Sequence, residues 1–252
     1  MSIKSIIIVG GGPSILDGLA LNLKDKIKNK CVLLCNYAYE TLEGSALCFV
    51  DASNSEKCFY NVNKNFIKSF PVSFGIDKNL DIPKPTDKTF WIKNSEKYLG
   101  WRNFKNGAYC AELTGYFALS IACWLLEGIG NVYLCGFDWT QRTESDKQKG
   151  VSDNPHAINA PLELRAKTHY YPKYHRGVGF TEYYETHNPN DKFAPFLEEK
   201  NIKIYNVSPN SNIACFEKIN YKQFFNLLEP SNYKQYQIRN YIKWRWNDVI
   251  SN

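Results

Sequence analysis

The sequence predicts an α/β domain built on a Rossmann-like, doubly wound, mostly parallel sheet with a lid-like insertion. Three observations lead there. Short, continuous apolar runs rich in β-branched residues recur along the chain, as buried parallel strands require. Helical patterns alternate with them. The runs end in glycine, asparagine or aspartate, the residues that line the carboxyl edge of such a sheet.

The first run, residues 3–9, reads as a buried strand broken by Gly10, Gly11, Gly12 and Pro13. Ser14 then stands where a helix cap is expected, opening a helix toward Lys30 with Ile15, Leu16, Leu19 and Leu23 on one face. Residues 31–35 form a second strand ended by Asn36, and residues 46–50 a third ended by Asp51. Residues 72–75 and 89–92 read as short strands around a proline-containing loop. Residues 113–127 are an apolar helix closed by Gly128, followed by a buried strand at 131–135 that ends in Gly136 and Asp138. A long polar segment, 139–188, has the length of a binding loop or lid. A helix at 191–200, a strand at 202–207, a helix at 221–228 and a terminal helix at 233–249 complete the pattern. Residues 1–230 thus read as one domain, and 231–252 as a basic, aromatic C-terminal helix.

At 252 residues the chain is long enough to bury a sizeable core without staples. Hydrophobic residues make up 44% and charged residues 22%, an ordinary globular balance that argues against disorder. Aromatics reach 15%, many of them in the polar stretch after Gly136, where rings suit stacking on bases or sugars. The net charge of +6 favours an anionic ligand or surface without demanding one. The eight cysteines fall mostly inside apolar runs and lack zinc-type spacing, so they read as reduced, buried small hydrophobes of a cytoplasmic protein. No apolar run is long enough for a membrane span.

The chemistry-bearing motif nearest the start is VGGGPS, Val9 to Ser14. A strand feeding glycines and then a helix is a ready anion site, because the backbone can approach closely and a helix start offers free N–H groups. The motif is neither GxGxxG nor a lysine-bearing phosphate loop. Its plain alternative is a tight strand–helix turn. Asn36, Asp51, Gly136 and Asp138 at other strand ends add weight to the ligand reading, although Asn and Asp are also common turn residues.

The order GGGPS, LLCN, a TG opening a helix, VYLCGFD, and then YYETHNPNDKFAPFLEEKNIKIYNVSPNS resembles the bacterial sialyltransferases of glycosyltransferase family 42. That family's motifs run GNGPS, a strand ending in Asn, TSG before a helix, a strand ending GID, and a catalytic His followed by CPNS. The likeness extends from Ile6 to about Ser211 and is most specific after His187. It implies a single-domain GT-A-like fold, a nucleotide-binding, glycosyltransferase-like domain over 1–230 with its lid at about 139–188, a nucleotide-sugar donor and a glycan or other hydroxyl acceptor. It implies His187 as general base, Tyr184 as a contact to the nucleotide phosphate, and Gly11, Ser14, Asn36, Thr114, Gly115 and Asp138 as nucleotide-binding residues. A histidine suits that work because its proton affinity lies near neutral pH; the alternative is a surface histidine before Asn188 and Pro189.

The chain departs from the family at Gly11 and Asp51, where the family has Asn, and at Thr140, where it has tyrosine. Asp51 fits better a broader group that resembles archaeal hydroxymethylpterin pyrophosphokinases. There is no DxD motif, which favours a metal-independent mechanism or a monophosphate leaving group with no cofactor required; a divalent metal stays open as the alternative, with Asp138 as its lone ligand. Within the polar segment, His169, Tyr170, His175 and Arg176 read either as lid residues over the donor or as a packed loop.

The tail interleaves Lys234, Arg239, Lys243 and Arg245 with Tyr236, Tyr241, Trp244 and Trp246. Such a helix can lie on a membrane surface or on DNA, or it can pack on the domain or on a second subunit of a homo-oligomer. The readings in competition are therefore a glycosyltransferase, a phage-type enzyme glycosylating hydroxylated DNA bases, a pyrophosphokinase-like enzyme and a non-catalytic nucleotide-binding module.

Overall fold

In a computed structural model of the chain, residues 2–50, 65–77, 88–110, 113–138, 189–230 and 233–251 are described. Their strands are β1 (Ser5–Val9), β2 (Cys31–Cys35), β3 (Ala46–Phe49), β4 (Ser73–Asp77), β5 (Thr89–Ser95), β6 (Ala108–Tyr109), β7 (Gly130–Cys135), β8 (Ile202–Asn206) and β9 (Glu217–Lys218). They form one nine-stranded sheet in the order β6-β5-β4-β3-β2-β1-β7-β8-β9. Every pairing among these strands is parallel, so the sheet is more uniform than the mostly parallel one expected.

The order reverses at β1. The chain moves outward from β1 through β2 to β6, then returns to place β7 on the other side of β1. Ile6 to Val9 pair with Cys31 to Leu34 on one flank and with Val132 to Cys135 on the other. A central parallel strand is buried on both faces, which explains why the run IIIV carries no polar alternation.

Successive residues of a strand face opposite sides, and the two cores follow that alternation. Ile6 and Ile8 join one core, which includes nearly all of α3 (Thr114–Leu125) and reaches Ile238 and Ile242. Ile7 and Val9 join the other, with Ile15, Leu23, Ile27, Tyr221 and Phe224. These come from α1 (Ile15–Ala20), α2 (Leu23–Ile27) and α5 (Tyr221–Leu227). Helices thus cover both faces, and the doubly wound α/β architecture follows.

The helix expected from Ser14 to Lys30 is instead two short helices. Asn22 adopts the left-handed backbone (φ 61°) between them, a conformation that asparagine tolerates better than most residues. Leu16, assigned to the apolar face, is exposed, and Ser14 makes no side-chain cap bond. The helix expected at 191–200 is a short α4 (Pro189–Phe193) continued as a 3₁₀ helix, Ala194–Glu198. Strands β6 and β9, two residues each, are too short to leave a periodic pattern in the sequence.

The tail is α6 (Gln235–Ser251), and it packs on the domain. Ile238 and Ile242 are buried, and Trp246 stacks on Phe90 with ring centres 5.0 Å apart. The Gln235 amide donates to the carbonyls of Lys28 and Lys30 and accepts from Ser45. Arg239 donates to the Gly44 carbonyl, and Arg245 pairs with Glu127 at 3.3 Å. Two of the four cations of the proposed stripe are therefore turned onto the protein. Cys31, Cys35, Cys48, Cys110, Cys123 and Cys135 are buried and unbonded to one another, and burial pushes the Cys31 thiol up to about 12. No helix among the described residues is long and apolar enough to cross a membrane.

Candidate functional site

The carboxyl ends of β1, β2, β7 and β8 meet at the switch point, and four loops meet there with them. The β1 loop is Gly10 to Ser14, and the β7 loop is Gly136 to Asp138. The two are laced together by backbone bonds: Gly10 N–H donates to the Cys135 carbonyl and Gly12 N–H to the Gly136 carbonyl, each at 2.8 Å. Asp138, 7% exposed, accepts from the Ser14 N–H at 3.0 Å. The glycine at position 12 answers to this contact. A Cβ there would overlap Asp138 Oδ2 and lie 2.7 Å from the Gly136 carbonyl oxygen.

The loop after β8 supplies the support. Ser208 is fully buried, and its hydroxyl lies 2.7 Å from that of Ser14. Ser211 Oγ donates to the Phe137 carbonyl at 2.6 Å, and Asn206 Nδ2 donates to the same oxygen at 3.1 Å. Asn212 N–H donates to the Asp138 carbonyl at 3.0 Å, and Lys218 Nζ donates to the Ser211 carbonyl at 2.6 Å. The turn 136–138 is therefore gripped from both sides. Asn206 Oδ1 is buried and has no hydrogen-bond partner among the described residues.

The other wall comes from β2 and α3. Asn36 sits just past β2 with φ 49°, an uncommon backbone for a residue other than glycine and one that tends to mark special sites. Its Oδ1 accepts from Thr114 Oγ1 at 3.1 Å, which leaves its amide nitrogen as a donor. α3 begins at Thr114 with no side-chain cap, so the positive pole of a 12-residue helix opens beside Asn36. A Cβ at Gly115 would come within 2.6 Å of the Phe137 ring, so that glycine lets α3 close onto the β7 loop.

Burial pushes the Asp138 carboxyl above the ordinary carboxylate range. Hydrogen bonds from Ser14 and Ser208 oppose that rise, and the charge of Asp17 adds to it.

The structure brings together Gly10, Gly11, Gly12, Pro13, Ser14, Asn36, Thr114, Gly115, Gly136 and Asp138 of the residues singled out from the sequence. Asp51, His169, Tyr170, His175, Arg176, Tyr184 and His187 lie outside the described residues, as does the lid at 139–188. The helix start after the glycines does not offer a row of free N–H groups, because α1 is short and its amides are engaged inside the protein. Ser208, Ser211 and Asn206 were not singled out as site residues. Their signal was present in the NVSPNS stretch, whose polar residues follow a buried strand. Among the described residues no three His, Cys, Asp or Glu side chains gather as metal ligands would.

Fold and site together define a Rossmann-like α/β protein with a cluster of polar residues at its topological switch point. Comparison of the chain with protein-family models, with curated proteins and with solved structures yields no match.

Proposed function

We propose that a crevice at this switch point binds the nucleotide part of an activated sugar and that the chain is a glycosyltransferase. The observation that carries the reading is the convergence of Asn36, Thr114, Gly115, Asp138 and the glycine loop where the strand order reverses. In open α/β sheets, ligands sit in this crevice, beyond the carboxyl ends of the strands. Asn36 offers an amide donor, and the start of α3, whose N-cap residue Leu113 makes no side-chain cap bond, supplies a positive pole for a phosphate. The resemblance to the family 42 sialyltransferases adds the chemistry: His187 takes the proton from the acceptor hydroxyl as the sugar leaves its nucleotide.

The test is a thermal-shift screen of the full chain against CMP, UDP, GDP, ADP and their sugars, followed by turnover of whichever sugar binds. A ligand that binds only the folded state raises the melting temperature. The reading expects one nucleotide and its sugar to do so, and expects release of that nucleotide in the presence of a hydroxyl acceptor. A screen in which no nucleotide shifts the transition contradicts it.

A further inference from the structure

We infer that the glycine loop does not hold the ligand's phosphate: Asp138 occupies the anion position from within, and this corner of the crevice takes an uncharged, hydrogen-bond-donating part of the ligand, a ribose hydroxyl or a base amino group. The inference rests on the nucleotide reading and fixes the direction in which the ligand lies.

The basis is a full accounting of the loop's amides, since each backbone N–H must find a partner. Gly10 N–H goes to Cys135, Gly12 N–H to Gly136 and Ser14 N–H to Asp138 Oδ2. Ile15, Leu16 and Asp17 donate to the carbonyls of Gly12, Pro13 and Ser14. Pro13 has no N–H. From Gly10 to Asp17, Gly11 alone carries an N–H with no bond of this kind among the described residues. A phosphate cradle needs several convergent amides, and one is not enough.

Charge points the same way. The Asp138 carboxylate lies against Gly12, where a phosphate would have to settle. Asp17, in the first turn of α1, adds a second negative charge close enough to act on Asp138. A third anion there meets like charge on two sides, whereas a carboxylate accepts readily from hydroxyl and amino donors. Gly12 and Gly115 are thus packing glycines, and the likeness of VGGGPS to a phosphate loop is one of sequence alone.

The experiment is an amide-resolved NMR titration of the ¹⁵N-labelled full chain with nucleoside and nucleotide pairs: cytidine and CMP, uridine and UDP, guanosine and GDP, adenosine and ADP. The expected result is that the bound nucleoside moves the Gly11 and Ser14 amides and that adding its phosphate moves them little further. A large additional shift at Gly11 to Ser14 on going from nucleoside to nucleotide overturns the inference while leaving the nucleotide reading in place. No shift in the crevice with any pair overturns that reading and the inference with it. Calorimetry on Asp138→Asn gives a second readout. Both members of the binding pair should weaken by a similar factor, about tenfold, as expected for loss of a charge-assisted bond. A selective gain for the phosphorylated member would place the phosphate beside Asp138 and contradict the inference.

Discussion

The hydroxyls of Ser14 and Ser208, 194 positions apart in the chain, lie 2.7 Å from each other and join the loop of the first strand to the loop of the eighth. Ser208 is fully buried, so removing its hydroxyl leaves Ser14 without this partner. Ser208→Ala should lower stability by about 1–2 kcal/mol, the usual cost of a lost buried hydrogen bond. Urea unfolding of the two proteins measures it, and an unchanged midpoint would show that the bond does not hold the loop.

Gly12→Ala places a methyl group against Asp138 and the Gly136 carbonyl. The backbone oxygen cannot rotate away, so the substitution should cost about 1–3 kcal/mol or more, the scale of overpacking. Part of that cost comes from the Asp138 side chain. Gly12→Ala should therefore cost less in an Asp138→Ala background than in the wild type, a coupling that a double-mutant cycle reads directly. Simple additivity would mean that the carboxylate does not pack on Gly12.

Asp138 gives a pH dependence of known sign. Burial raises its folded-state pKa above the unfolded value. Its contribution to stability is then fully present below the unfolded pKa of about 3.9 and is lost as the pH rises through the folded value. Asp138→Asn does not titrate, so its stability relative to wild type should improve as the pH is raised from about 4 through that window. Denaturation midpoints of both proteins across the acid range check this, and a difference that moves the other way would contradict the burial argument.

How much of this was readable in the sequence differs from element to element. β1, β2 and β7 were visible because strands buried on both faces need unbroken apolar runs. The helix 114–125 was visible because it is apolar nearly all round and is buried nearly all round. The break at Asn22 was hidden, since a left-handed residue inside a helical pattern carries a weak local signal. Two-residue strands such as β6 carry no periodicity. In the site, the polar strand ends were legible as residues. Their use was not, because whether the glycine amides are free depends on Asp138, 124 positions away from Ser14. The role of Ser208 depends likewise on a contact across most of the chain.

The C-terminal helix is bound to the domain by aromatic packing. Trp246 stacks on Phe90 and meets Phe74 and Trp124 edge-on. Trp246→Ala should destabilise by about 2–3 kcal/mol, somewhat below the ~3–5 typical of fully buried aromatics. Arg239→Ala should also lower stability, through its bond to Gly44. If the chain binds DNA through this helix, the salt dependence should respond to Lys234 and Lys243, with a change of about 0.9 in slope per phosphate contact removed. Arg245, paired with Glu127, should leave that slope unchanged.

The most direct measurement concerns Asn36. Its backbone is already in the left-handed region, so Asn36→Gly removes the amide without straining the chain. Calorimetric titration of wild type and Asn36→Gly with the nucleotide selected by the thermal screen tests the crevice itself. The account predicts that the variant, which also loses the bond from Thr114, stays folded with a melting temperature about 2–4 °C lower and binds the nucleotide about tenfold more weakly, the loss expected for one or two hydrogen bonds. Equal affinity in the two proteins would contradict it, because the ligand would then lie away from the switch point.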